Sequence, residues 1–194
     1  MDKTEESAQP ILLVISGPSG VGKDSVIQHL KENIINCHFT ITATTRDRRP
    51  GEIDGKDYIF LDKASFSEKI SLDQFLEYAE VYGNWYGIPT KQVTDALSNG
   101  NDVIIKADVQ GASTIKKKVK GSILIFLKPP STLDLEKRLR KRPNYNPKIF
   151  NKLRKLQLPL EFKKKKSNFI IKNNFKIISV RKSVKVLKSK ILNI

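Results

Sequence analysis

A parallel α/β sheet flanked by helices, interrupted by a small, mostly β insertion, is the fold this sequence predicts. Three features carry the expectation. Short apolar runs rich in branched residues alternate with segments of helical periodicity. The first such run leads at once into a glycine-rich turn and a helix. Residues 38–90 then break the alternation with strand-like segments separated by turn dipeptides.

The elements follow in chain order. Residues 11–16 form a continuous apolar run stopped by Gly17-Pro18, the pattern of a strand buried on both faces. Val26, Ile27, Leu30 and Ile34 recur at helical spacing. Within the insertion, residues 40–45, 57–61 and 75–81 read as strands, with Pro50-Gly51 and Asp54-Gly55 as turns. The alternation resumes with a strand over 103–107, a helix over 112–119 and a strand over 123–127 stopped by Pro129-Pro130. A helix from Thr132 to about Lys141, a short strand over 169–171 and a helix over 183–192 complete the series. Repeated strand–helix–strand units imply parallel pairing with right-handed crossovers. Residues 139–163, basic and broken by Pro143, Pro147 and Pro159, form a second excursion.

Composition narrows the function classes. A chain of 194 residues suits one domain with insertions. No apolar run approaches the ~18 residues of a membrane span. The segment from Met1 to Pro10 is polar and partly acidic, unlike a secretory signal or a transit peptide. Cys37 is the single cysteine, so neither an intramolecular disulfide nor a thiol metal site is expected. These features predict a cytoplasmic protein. Charge is uneven: residues 1–115 hold 11 Lys+Arg against 17 Asp+Glu, while the other 25 basic residues face only Asp134, Glu136 and Glu161. Few aromatics interleave with the later lysines, so they read as solvated helix faces rather than a nucleic-acid surface.

Gly17-Pro18-Ser19-Gly20-Val21-Gly22-Lys23 lies between a buried strand and a helix, the context that makes G-x-x-x-x-G-K a phosphate-binding P-loop. Glycines there let consecutive backbone N–H groups turn inward, and the helix N-terminus adds positive potential. Lys23 supplies a mobile cation for the β- and γ-phosphates of a nucleotide. Asp24 stands where the strict pattern has Ser or Thr, and the motif assigns it no role. Ser25 follows it, and nucleotide kinases commonly place their magnesium-associated hydroxyl there. Residues 17–25 are accordingly the expected ATP-binding segment, and the fold a P-loop NTPase-type sheet.

The insertion carries further motifs. They are Thr42-Ala43-Thr44-Thr45-Arg46-Asp47-Arg48-Arg49-Pro50-Gly51-Glu52, Gly55-Lys56-Asp57-Tyr58-Ile59-Phe60, Phe75-Leu76-Glu77-Tyr78-Ala79-Glu80 and Gly83-Asn84-Trp85-Tyr86-Gly87. With the P-loop and Asp108-Val109-Gln110-Gly111, they resemble the guanylate kinase family, in register over roughly residues 11–142. The resemblance implies one domain over 11–194, with its core in 11–37, 91–138 and 164–194. A GMP-binding insertion would occupy 38–90 and a short basic lid 139–163, after a polar tail at 1–10. It marks Arg46 and Arg49 as clamps on the acceptor phosphate, with Tyr58 and Tyr86 supplying hydroxyls beside them. Rigid guanidinium forks suit that task. Thr42, Glu77 and Asp108 are the implied base-reading residues. A carboxylate can accept both donors on the guanine edge, a pair that adenine lacks. Arg138 and Arg142 are the implied lid arginines, with Arg154 or Lys152 as a third.

The resemblance implies transfer of the γ-phosphoryl of ATP to GMP, and also to dGMP, with Mg2+. Catalysis would rest on positioning and charge neutralisation by Lys23, Arg46, Arg138 and Arg142, because the acceptor oxygen is already anionic. ATP and GMP are the expected partners, membrane and nucleic acid are not, and the chain is expected as a monomer or homodimer. A non-catalytic binding module of the same fold, and a kinase for another phosphorylated acceptor, are the alternatives. Ile88 stands where the family usually has Ser or Thr, removing one hydroxyl. Lys106 stands where it usually has an aspartate, which reverses the local charge. The sequence leaves open whether Lys106 serves as a further phosphate cation or weakens metal binding.

Overall fold

The computed structural model describes residues 9–33, 36–81, 83–141, 147 and 167–191. Its core is a five-stranded, all-parallel sheet built from β1 (Leu12–Ser16), β2 (Cys37–Phe39), β7 (Asp102–Lys106), β8 (Ile123–Lys128) and β9 (Phe169–Lys172). Their order is β2-β7-β1-β8-β9. Central β1 is buried along its whole length, and its side chains alternate between two cores. Leu13 and Ile15 point to the side of α1 (Lys23–Asn33), α5 (Thr132–Arg140) and α6 (Ile177–Ile191), packing with Val26, Leu30, Leu135, Leu139, Val184 and Leu187. Leu12 and Val14 point to the other side, packing with Val93 of α3 (Thr90–Ser98) and Ala112 and Ile115 of α4 (Val109–Lys118). A strand covered on both faces has no polar side to show, which is why its sequence reads as an unbroken apolar run.

The second sheet has the order β4-β3-β6-β5. It comprises β3 (Ala43–Thr44), β4 (Ile59–Phe60), β5 (Phe75–Val81) and β6 (Asn84–Pro89). A short helix, α2 (Lys63–Ser71), closes one face. Asp62 caps it by accepting the Ser65 N–H at 2.7 Å. Phe66 of α2 is fully buried and stacks on Phe75, with 4.5 Å between ring centroids. Full burial of such a side chain is worth about 1.5–3 kcal/mol, which sustains a core this small.

The mixed α/β architecture matches the expectation, and several details differ. Residues 37–39 are an edge strand of the main sheet, so the expected boundary at residue 38 runs through β2. Helices α2 and α3 lie where no helix was anticipated, and β6 extends a segment anticipated only as a motif. The last helix starts at Ile177, well before residue 183, because its first turn exposes Ile177 and Ile178 and so lacks an amphipathic signature. No helix among the described residues is long and apolar enough to cross a membrane. Beyond Lys141 the basic excursion lies outside the described residues, apart from Pro147.

Candidate active site

The carboxyl ends of β1 and β7 open onto one cleft of about 550 Å³, where ligands bind in open parallel sheets. Residues 17–22 link β1 to α1 and form its floor. Gly22 has φ 94°, and a Cβ there would lie 2.6 Å from Asn173 Nδ2, so both conformation and space demand glycine. Lys23 Nζ donates to the carbonyls of Gly17 at 2.7 Å and Pro18 at 3.3 Å, holding the ammonium over the loop. Gly17, Pro18, Ser19, Gly20, Gly22, Lys23, Asp24 and Ser25 all line the cleft. Val21 does not: its side chain is wholly buried in the core, and its N–H donates to the Pro18 carbonyl at 3.2 Å. Its side chain serves packing.

Asn173, just after β9, is a residue that sequence reasoning missed. It is buried, its Nδ2 donates to the Val21 carbonyl at 2.9 Å, and its Oδ1 accepts the Phe175 N–H at 3.0 Å. The loop is therefore braced from a strand about 150 residues away, and nothing local in the sequence signals it.

The second sheet supplies the opposite wall. Arg46 forms a 2.8 Å ion pair with Glu52 and lies 5.1 Å from the Tyr58 ring centroid. Burial pulls the guanidinium's pKa down, but the Glu52 contact outweighs it and the net shift is upward. Glu52 also accepts the Arg49 N–H at 2.8 Å, so one carboxylate sets the loop that presents both arginines. Arg49 lines the cleft although exposed, whereas Arg48 is exposed and not part of the lining. Tyr58 and Tyr86 meet edge to face with 6.4 Å between centroids, and both line the cleft.

At the far end Glu77 of β5 is 7% exposed and lies against α4. A Cβ on Gly111 would sit 2.6 Å from its carboxyl oxygens, which gives the Gly111 position its physical reason. Among the described residues no hydrogen bond reaches that carboxyl. Burial, then the charge of Asp108, push its pKa up to about 7, with Lys118 opposing. Asp108 itself caps α4, its Oδ1 accepting the Gly111 N–H at 2.8 Å, so part of its acceptor capacity is structural. Among the described residues Thr42 Oγ1 is buried without a hydrogen-bond partner. An orphaned hydroxyl and an unpaired carboxyl facing one cleft are groups that a ligand's polar edge satisfies.

Lys106, the last residue of β7, also lines this cleft. Its Nζ donates to Asp24 Oδ1 at 2.8 Å and to the Tyr58 hydroxyl at 3.0 Å. Ile88 is buried and lines the wall without a polar contact to offer. Arg138 on α5 reaches the rim, its guanidinium 4.5 Å from the Phe175 ring centroid. Arg142, Lys152 and Arg154 lie outside the described residues. Gln110, Ser113 and Thr114 of α4 line the cleft and were not anticipated. The Ser25 hydroxyl is exposed to the cleft, and no cage of three or more His, Cys, Asp or Glu side chains exists among the described residues. Such a donor set fits a hard cation carried mainly by phosphate oxygens and water.

Known proteins of one family resemble this chain. Residues 9–192 match a family model described as guanylate kinase. A guanylate kinase of Carboxydothermus hydrogenoformans is 48% identical over 132 residues, which span 68% of this chain and 65% of that protein. Guanylate kinase 2, chloroplastic/mitochondrial, of Oryza sativa subsp. japonica is 50% identical over 132 residues, spanning 68% of this chain and 46% of that relative. The matched stretch thus spans less than two thirds of either relative. The crystal structure of guanylate kinase from Anaplasma phagocytophilum superposes with a TM-score of 0.73 at 28% identity, covering 93% of this chain and 86% of that one.

Proposed function

Because the chain belongs to the guanylate kinase family, we propose that it transfers the γ-phosphoryl group of ATP to GMP or dGMP, giving ADP and the corresponding diphosphate. The observation that carries this reading is Glu77, a buried carboxyl that no hydrogen bond reaches among the described residues, facing the same cleft as the phosphate loop. Guanine N1–H and the exocyclic amine are two adjacent donors for one carboxylate. Adenine presents an acceptor at N1 and would leave Glu77 both buried and unpaired. Loss of such pairing costs ~1–3 kcal/mol or more, so the group that binds guanine also rejects adenine. The Thr42 hydroxyl and the remaining lone pairs of Asp108 are the second and third contacts to the base in this reading.

The mechanism follows from charge placement. Arg46 and Arg49, with the hydroxyls of Tyr58 and Tyr86, hold the acceptor phosphate in line with the donor. The backbone of residues 17–22 and Lys23 hold the β- and γ-phosphates of ATP. An acceptor phosphate oxygen is already anionic near neutral pH, so no general base is required. Lys23, Arg46, Arg138 and Arg142 offset the charge spreading over the transferring group. Mg2+, held by the Ser25 hydroxyl with phosphate oxygens and water, would supply further neutralisation of that charge. The reading includes a cytoplasmic monomer or homodimer whose partners are nucleotides rather than nucleic acid or membrane.

The test is a coupled assay of ADP formation with GMP, dGMP, AMP, UMP and CMP as acceptors. Turnover with GMP and dGMP is expected to exceed that with AMP by at least about 10⁴ in kcat/KM, the scale on which polar sites reject analogues lacking their partner. Preference for AMP, or no turnover with any acceptor, would sink the reading.

A further inference from the structure

We propose that Lys106 is a further cationic ligand of the acceptor's phosphate, acting beside Tyr58 together with Arg46 and Arg49; this rests on reading the cleft as a nucleoside monophosphate site.

Position is the first argument. Lys106 pairs in register with Ile15, which puts it at the carboxyl end of the sheet beside the start of the phosphate loop. From there its ammonium reaches Asp24 on α1 at 2.8 Å and the Tyr58 hydroxyl on the second sheet at 3.0 Å. It therefore touches both walls, where donor and acceptor phosphates have to meet.

Charge is the second argument. The Lys106 ammonium lies 4.7 Å from the Tyr58 ring centroid and the Arg46 guanidinium 5.1 Å from the same centroid. Two cations converging on one phenol repel each other, and the structure offsets each with a carboxylate. Glu52 stands 2.8 Å from Arg46, and Asp24 stands 2.8 Å from Lys106. The two offsets differ in kind. Glu52 is tied to the loop through the Arg49 N–H, whereas the Asp24 side chain is 77% exposed. An exposed carboxylate gains little from its ion pair, so a phosphate dianion can displace it from Lys106 at small cost. Burial lowers the ammonium's pKa, but Asp24 and Tyr58 more than offset this, so the cation is retained.

The third argument joins the two departures noted in the sequence. Asp24 and Lys106 are both off the family's pattern, 82 positions apart, and they bond to each other. They form one ion pair, in which the carboxylate guards the cation until substrate arrives. A tie that only held α1 to the second sheet would not need a charge aimed into the cleft.

Steady-state kinetics with GMP and ATP varied in turn, plus calorimetric binding of GMP and guanosine, test this in wild type, Lys106→Met, Lys106→Gln and Lys106→Arg. Lys106→Met is expected to raise both KM and Kd for GMP at least about tenfold, equivalent to about 1.4 kcal/mol. KM for ATP and affinity for guanosine should stay within about twofold, since neither places a phosphate at Lys106. Lys106→Arg should recover most of the loss. Lys106→Gln keeps a donor toward Tyr58 and Asp24, so it reports on charge alone and serves where the methionine variant fails to fold. Unchanged GMP binding in both neutral variants, or equal losses for GMP and guanosine, would reduce Lys106 to a structural tie. A wild-type protein that does not turn over GMP overturns the underlying reading, and the proposal with it.

Discussion

Glu77 sits in surroundings that disfavour its own charge, and that conflict has measurable consequences. Its pKa is pushed up to about 7 by burial and then by Asp108, from an ordinary value of 4.5. Between those two values the folded state holds a proton that the unfolded chain releases. The contribution is therefore fully present below the unfolded pKa and is lost as pH rises through the folded one. Without nucleotide, Glu77→Gln should raise Tm more at pH 8 than at pH 5, as measured by scanning calorimetry. Substrate binding has the opposite sign, because only the carboxylate accepts both guanine donors. KM for GMP should rise as pH falls below about 7, while Glu77→Gln flattens that profile and lowers kcat/KM for GMP by about 10- to 100-fold. A pH profile for KM that is identical in wild type and Glu77→Gln would remove Glu77 from base recognition. The carboxylate was legible in sequence because it lies in a motif, whereas the way its neighbours set its surroundings was not. Gly111 makes room for it, and Asp108 contributes charge while spending one oxygen on the cap of α4.

Among the elements, the phosphate loop was the most legible because its constraints are local. A buried strand, glycines at positive φ and a helix start all fall within a dozen residues. Its brace was not legible, because Asn173 acts across about 150 residues and belongs to no motif. Asn173→Ala would leave the buried Val21 carbonyl without its donor, at a cost of ~1–3 kcal/mol. In the proposed reading the loop it supports binds the donor nucleotide, so KM for ATP should rise several-fold while KM for GMP changes little. Urea denaturation and paired KM measurements check both halves, and an unchanged KM for ATP would leave Asn173 a purely structural role. Short elements were lost for a different reason. The three residues of β2 give alternation too little length, and the packing of Phe66 on Phe75 that shows why α2 exists is visible only in three dimensions. Lys106 illustrates the intermediate case: its departure from pattern was visible, but its partners, Asp24 and Tyr58, became evident only in three dimensions.

At the scale of the whole molecule, hydrogen bonds stitch the two sheets together, and the protein is expected to unfold as one unit. Gln92 of α3 bonds both the N–H and the carbonyl of Ile41, at 2.8 and 3.1 Å, where the chain leaves the main sheet. The Thr40 N–H donates to the Ile104 carbonyl at 3.1 Å, and the Thr90 N–H to the Gln74 carbonyl at 2.9 Å. Lys118 of α4 adds a 2.8 Å bond to the Leu76 carbonyl, beside Glu77. These bonds flank the cleft, so a ligand that fills it reinforces the same junction. The proposed acceptor contacts divide between the second sheet, with Arg46, Tyr58 and Glu77, and the core, with Lys106 and Asp108. Binding at one hundred times Kd stabilises the folded state by about 2.7 kcal/mol. For a chain of this size each kcal/mol is worth about 2–4 °C, so saturating GMP should raise a single calorimetric transition by about 5–11 °C. A biphasic melt in which GMP moves only the lower transition would mean that the second sheet unfolds alone. In that case the bonds through Gln92, Thr40 and Thr90 would not couple the acceptor wall to the phosphate loop.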